Sequence, residues 1–240
     1  MKLLIDAAAF VLHNPQLLAE KALQQLLLSA VSLVVAIAIA LPVGIVTGHL
    51  HRGGFLAISG GNIARALPSL AVIAIGIPLW GLGFVNIMIT LVVLAIPAIL
   101  TNTYVAVSTV KPATVEAARG MGMRRRQVLA RVELPVAVPL MVGGIRTASV
   151  FVIATAYLAS FAGSGNTLGT IISQQGFYGL SGVLAATAVT VVMAFSVEGV
   201  LALCQRWLTP KGLRLLRSEG GGPYAGRATA AAEIRPAQLT

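Results

Sequence analysis

The sequence predicts an all-α, polytopic membrane protein with about five transmembrane helices, and three observations carry that expectation. The chain is 57% hydrophobic with a mean hydropathy of +0.90, too apolar for an ordinary soluble domain. Charged residues make up only 10% and gather in short stretches between long runs that carry none. Those apolar runs reach the ~20 residues that a helix needs to cross the hydrocarbon, where no water satisfies an open backbone amide.

The elements follow in order. Residues 1–21 begin like a signal peptide, but Asp6 interrupts the apolar stretch and no clean cleavage site precedes His13 and Pro15. They are expected to form a short helix at the membrane surface. Five spans are expected at about residues 25–48, 55–79, 84–104, 134–158 and 183–204, the second interrupted by Arg65 and Pro68. Pro42, Pro68, Pro97 and Pro139 lie in or near these windows, so kinked helices are expected, with the freed carbonyls satisfied by neighbours. Residues 22–205 form one transmembrane domain, with a polar loop at about 105–133. Residues 206–240 form a tail, and from Ser218 onward its composition is that of a disordered chain.

Five crossings sort the basic residues by face. One face receives Arg52, Lys111, Arg119, Arg124, Arg125, Arg126, Arg131, Arg206, Lys211, Arg214 and Arg217; the other receives Lys2 and Lys21. Positive charge stays on the cytoplasmic side during insertion, so the N-terminus is expected outside and the C-terminus in the cytoplasm of a multi-pass cell (inner) membrane protein. The net charge of +10 is thus explained by basic loops beside a lipid bilayer, and no nucleic-acid partner is expected.

Several chemistries are excluded. The single Cys204 permits neither a disulfide framework nor a cysteine metal cluster, and His49 and His51 beside Arg52 read as loop residues, not as a metal site. Gly120 and Gly122 lack the βαβ surroundings of a dinucleotide fingerprint. No Ser/His/Asp grouping, HExxH or paired membrane aspartates support an intramembrane enzyme.

The loop "VKPATVEAARGMGMRRRQVLARVELP" has helix grammar. Pro112 suits a first helical turn, Gly120 suits a left-handed stop, and "RRRQVLARVELP" restarts a helix that feeds the fourth span. Ala117 and Ala118 give the short helix little bulk beyond Val115 and Met121, so a partner can approach its backbone closely. A charged loop that merely obeys the positive-inside rule remains the alternative. No G-x-x-x-x-G-K-[ST] phosphate loop is present, because none of the four lysines follows a glycine.

"EAARGMGM" followed by "VELP" resembles the EAA loop of ABC importer permeases, with Glu116, Ala117, Ala118, Gly120, Leu134 and Pro135 matching in order and spacing. "ARALPSLAVIAIGIPLWGLG", "AIPAILTNTYVAV" and the Gly-rich segment near Gly163 are similar to the branch that imports osmoprotectants such as glycine betaine, carnitine and choline. The resemblance implies a type I importer permease fold. It also implies a coupling helix, Pro112 to Met121, in which Val115, Glu116, Ala117, Ala118, Gly120 and Met121 dock into cytoplasmic ABC ATPase subunits. ATP and Mg would be bound by those partners and no cofactor by this chain. A second permease copy or a sister permease would complete the path, and an extracytoplasmic solute-binding protein would deliver the cargo. A related importer for amino acids, or a stand-alone channel or secondary transporter, are the alternatives.

Polar residues inside the spans are costly and need partners. Arg146 and Glu198 fall at comparable depth and are expected to approach each other, with Arg65 sharing the network, either as a structural pair or as part of a substrate path. Asn102 and Thr103 either line that path or cap a helix. The segment "ASFAGSGNTLGTIISQQGFYG", with Gly163, Gly165 and Gly169, is too polar to span and forms either a re-entrant outer gate or a flexible loop; Ser164, Asn166 and Thr167 spread its glycines apart.

Overall fold

The computed structural model describes residues 2–163 and 166–209, apart from the side chains of Leu56, Ile63, Ala64 and Arg65. The expected disorder beyond Ser218 lies outside the described residues, as do Gly165 and the Arg65 side chain.

Helix α1 (Lys2–His13) is separate, but α2 (Pro15–His49) starts well before the expected boundary at residue 21. Proline at the first helical position loses no bond there. Tertiary packing extends the helix: Leu18 joins Leu168, Ile171 and Ala186 in a small cluster, and Lys21 and Gln25 are buried. Further along α2, Ser32, Ala36, Ala40, Gly44 and Gly48 recur every four residues on one buried face. This stripe lets α5 (Phe84–Ser108) come close. A Cβ on Gly44 would lie 2.7 Å from the Thr103 side chain, and one on Gly48 would lie 2.9 Å from Val107. The matched order of these contacts makes α2 and α5 parallel.

The second expected span is corrected to two helices, α3 (Gly54–Ala66) and α4 (Ser69–Trp80), divided at Leu67–Pro68. Proline disfavours the helical region for the residue before it, and Pro68 is itself extended (φ −64°, ψ 116°), so the run breaks here, whereas Pro42, Pro97 and Pro139 stay inside their helices. The pair nevertheless follows α5 in the opposite direction. Gly54 abuts Tyr104, the Thr101 hydroxyl donates to the Ala57 carbonyl at 2.7 Å, and Asn86 Nδ2 donates to the Ile73 carbonyl at 3.2 Å. These contacts cover about 27 Å of α5 at ~1.5 Å per residue, so the broken pair spans the depth of a hydrocarbon core.

After α5 come two short helices, α6 (Pro112–Gly120) and α7 (Arg125–Val128), a π turn (Leu129–Glu133), and α8 (Leu134–Thr155). Helix α8 runs antiparallel to α2 and α5: Gln25 Nε2 donates to the Ile153 carbonyl at 3.1 Å, and Gly144 sits against Asn102. A 3-10 helix (Ala156–Ala162) extends α8, Gly163 takes the left-handed conformation at φ 76°, and α9 (Leu168–Ser173) folds back against it. Helix α10 (Gln175–Leu208), broken at Gly179 (φ 68°), returns antiparallel along α8. Its upper part meets α1, where Phe10 and Tyr178 pack edge to face at 6.4 Å.

Four helical runs are long and apolar enough to cross a membrane, namely Pro15–His49, Phe84–Ser108, Arg125–Ala162 and Gln175–Leu208. With the broken pair, the chain passes five times. The main core, including Leu28, Ile87, Leu91, Ile99 and Val152, lies where α2, α5 and α8 meet. One end of the bundle carries His49, Arg52, α6, α7 and the end of α10, with Lys111, Arg119, Arg124, Arg125, Arg126, Arg131 and Arg206; the opposite end carries α1, α9 and the Trp80–Phe84 turn.

Candidate functional site

The basic end is built around α6. Its termination corrects the expectation for Gly120, which stays helical. The left-handed residue is Gly122 (φ 82°), two positions later. The Met123 N–H bonds to the Ala118 carbonyl at 3.2 Å and the Gly122 N–H to that of Arg119 at 2.9 Å, the paired bonds of a Schellman cap. The chain then re-enters helix at α7, where Gln127 Oε1 accepts the Arg124 N–H at 2.8 Å.

Helix α6 has two unlike faces. Val115 is half-buried and Ala118 is 2% exposed, so both face the bundle. Ala113, Glu116, Ala117 and Gly120, at i, i+3, i+4 and i+7, form a smooth exposed stripe, and Met121 projects beyond its end. Of the six residues expected at a docking face, Glu116, Ala117, Gly120 and Met121 are exposed, whereas Val115 and Ala118 seat the helix. A cleft of about 230 Å³ separates α6 from the bundle, with His51, Glu116, Arg119 and Glu133 on its walls.

Glu133 ends the π turn and is 2% exposed. Its Oε2 accepts from Nδ1 of His49, the last residue of α2, at 2.6 Å. This corrects the reading of His49 as a loop residue without an acidic partner. The partner stands 84 positions away, beyond the reach of local pattern. No three His, Cys, Asp or Glu side chains cluster as metal ligands among the described residues.

The intramembrane polar groups meet where depth counting placed them. Arg146 Nε donates to Glu198 Oε1 at 3.0 Å, Nη2 donates to the same oxygen, and Nη1 donates to Gln205 Oε1. Gln205 Nε2 in turn donates to the Pro139 carbonyl at 2.7 Å. Sequence reasoning missed Gln205, although its position seven residues after Glu198 places it on the same helix face. Arg146 lies about 18 Å from Leu134 and Glu198 about 15 Å from Leu208, counting ~1.5 Å per residue. The side chains of the pair are 29% and 30% exposed; both line an open groove of about 630 Å³ with Gly143, Thr147 and Phe151, and Glu198 also borders one of about 280 Å³ between α8 and α10, lined by Val150, Ala154, Thr190, Ala194 and Phe195.

Asn102 and Thr103 cap nothing. Asn102 bonds back to the Ala98 carbonyl at 2.8 Å and packs on Gly144, while Thr103 is fully buried against Gly44. At the opposite end, Gly163 is an exposed turn residue, and Gly169 is buried where the α9 backbone meets the Tyr157 carbonyl. The Gly-rich segment is therefore packed in part, with Ala159, Ala162, Leu168 and Ile171 buried, whereas residues 173–177 are exposed.

Residues 40–210 match the family described as binding-protein-dependent transport system inner membrane component. The chain is 33% identical over 191 residues to the glycine betaine/carnitine/choline transport system permease protein OpuCB of Bacillus subtilis, covering 80% of this chain and 88% of that protein. It is 34% identical over 198 residues to the carnitine transport permease protein OpuCB of Listeria monocytogenes, covering 82% and 90%. Among solved structures, an inward-facing crystal form of the MetNI methionine ABC transporter aligns with a TM-score of 0.71 at 23% identity over 82% of this chain and 99% of that one, a likeness of fold.

Proposed function

The chain belongs to the family of inner membrane components of binding-protein-dependent transport systems, and from that membership we propose that it is the permease subunit of an ATP-driven importer for an osmoprotectant such as glycine betaine, carnitine or choline. The observation that carries the reading is the α6 stripe of Ala113, Glu116, Ala117 and Gly120. It is a side-chain-poor face, held rigid by the Schellman cap and seated on the bundle by Val115 and Ala118. Such a face suits a groove on another protein, because at Ala113, Ala117 and Gly120 backbone approach is limited only by methyl groups and glycine, with Glu116 adding one carboxylate beside them.

The basic end faces the cytoplasm by the positive-inside rule, with the N-terminus outside. Helix α6 docks there on an ABC ATPase, which holds ATP and Mg and supplies the closing motion. Displacement of α6 passes through α7 and the π turn into α8. A second copy, or a sister permease, completes the path, and the two halves rock between inward-open and outward-open arrangements.

The Arg146–Glu198–Gln205 cluster supports placing that path along the α8–α10 face. A charged group at mid-depth costs about 2.5–3.5 kcal/mol on insertion scales, and lipid tails offer it nothing. A pair left about 30% exposed on the isolated subunit therefore turns toward water or a second subunit. An extracytoplasmic binding protein delivers the solute to the opposite end, where the packed 3-10 helix and α9 form the outer gate. Quaternary ammonium cargo is held in aromatic cages, and with 5% aromatic residues this chain leaves tight recognition to that protein.

The test is uptake of labelled betaine, carnitine and choline, alongside amino acids, by the reconstituted complex of permease, ATPase and binding protein. ATP-dependent uptake of a trimethylammonium solute is expected. Uptake confined to amino acids would reassign the cargo, and uptake without the ATPase would overturn the importer reading.

A further inference from the structure

Glu133 is the most deeply buried acidic side chain among the described residues, and the mechanism above does not use it. On one side of it Ala106, Val107, Ala137 and Met141 form a buried apolar cluster joined by Leu129 and Leu134; on the other is the cleft that it shares with His51, Glu116 and Arg119. A carboxylate in such surroundings is stable only when paired, and its hydrogen-bond partner is the imidazole of His49. Glu133 also ends a π turn, a local widening of the kind frequent at functional sites. Two helices that are distant in sequence are thus tied by one short polar contact at the point where the α6–α7 elbow enters the bundle.

Apolar contacts between helices allow small slips, because neighbouring ridges offer similar packing. A buried, directional hydrogen bond does not, because a slip leaves the carboxylate unpaired. Resting on the importer reading, we propose that His49–Glu133 is a positioning joint that locks the end of α2 to the start of α8, so that a displacement of α6 moves both helices as one body. Without the joint, α8 would move while α2, together with the parallel α5 packed along its small-residue stripe, would lag. The ATPase would then cycle with little opening of the path. The joint stays closed throughout the cycle, since opening it would strand a buried charge.

The experiment uses the full complex in proteoliposomes and reads solute imported per ATP hydrolysed. His49→Leu combined with Glu133→Met removes both polar groups and leaves a packed apolar contact, so insertion and co-purification with the ATPase are expected to persist. ATP hydrolysis should hold within about twofold while solute moved per ATP falls about tenfold or more, within the usual range of coupling effects. His49→Asn, whose amide nitrogen stands near the Nδ1 position, should restore the ratio to within about twofold of the original. A short cross-link between cysteines at 49 and 133 should leave uptake intact. An unchanged ratio in the double variant, loss of assembly in that variant, failure of His49→Asn to restore coupling, or inactivity of the cross-linked protein would each overturn the joint. Absence of ATP-dependent uptake in the unsubstituted complex would instead refute the importer reading on which it rests.

Discussion

Replacing Gly169 with alanine places a Cβ 1.8 Å from the Tyr157 carbonyl oxygen, 2.6 Å from its carbon and 2.9 Å from its Cα. All three atoms are backbone, so no rotamer change relieves the clash. Contacts below 3.0 Å essentially never occur for a real Cβ, so α9 and the 3-10 helix must part by about 1.2 Å. That movement lifts Leu168 and Ile171, both fully buried, off their contacts. Gaps of 0.5–1 Å already forfeit about a quarter to a half of the dispersion attraction. Overpacking of this kind costs about 1–3 kcal/mol. In a chain of this size, each kcal/mol lowers the midpoint by about 2–4 °C, so a fall of roughly 2–12 °C is expected. The assay is thermal unfolding of the purified complex, read by loss of the intact peak on size exclusion. Gly176→Ala, an exposed site with nothing within 4 Å, is the control and should not move the midpoint. Equal midpoints for Gly169→Ala and the unsubstituted protein would refute the close backbone approach and the packed outer segment with it.

Other expectations follow from the elbow and the polar cluster. Glu116→Lys or Gly120→Asp, both on the exposed stripe of α6, should abolish uptake while leaving the chain inserted, as shown by membrane fractionation beside transport. Gly122→Ala forces a side chain into a left-handed residue at about 1–2 kcal/mol, so ATPase co-purification should weaken, as pull-down would show. Arg146→Gln leaves Glu198 without its cation at mid-depth and Glu198→Gln leaves Arg146 without its anion, so assembled complex and uptake should both fall in each variant. Normal assembly and uptake in both would remove the polar cluster from the account.

Much of the architecture was legible because lipid imposes simple rules. The runs forming α2, α5, α8 and α10 appear directly as long apolar stretches, and the Arg146–Glu198 pair followed from counting rise per residue. The interruption of the second span at Pro68 was visible as a residue, but hydropathy does not tell a kink from the full break between α3 and α4 that the structure shows. Gly120 and Gly122 are equivalent to a pattern reader; the choice depends on whether Met123 can reach the Ala118 carbonyl. The early start of α2 depends on Leu18 meeting Leu168 and Ile171 from the other end of the chain. His49 and Glu133 carry no mutual signal across 84 residues, and each alone resembles an ordinary polar residue near a membrane edge.

The most direct test of the central claim asks what grips α6. A single cysteine at Ala117, in a chain whose exposed Cys204 is replaced by serine, can be cross-linked in inside-out vesicles carrying the whole complex. The expected result is an adduct joining this chain to its ATPase, with a yield that changes between nucleotide-free and ATP-bound states. Labelling of the same cysteine by an impermeant reagent from outside intact cells, with no ATPase adduct, would contradict the account.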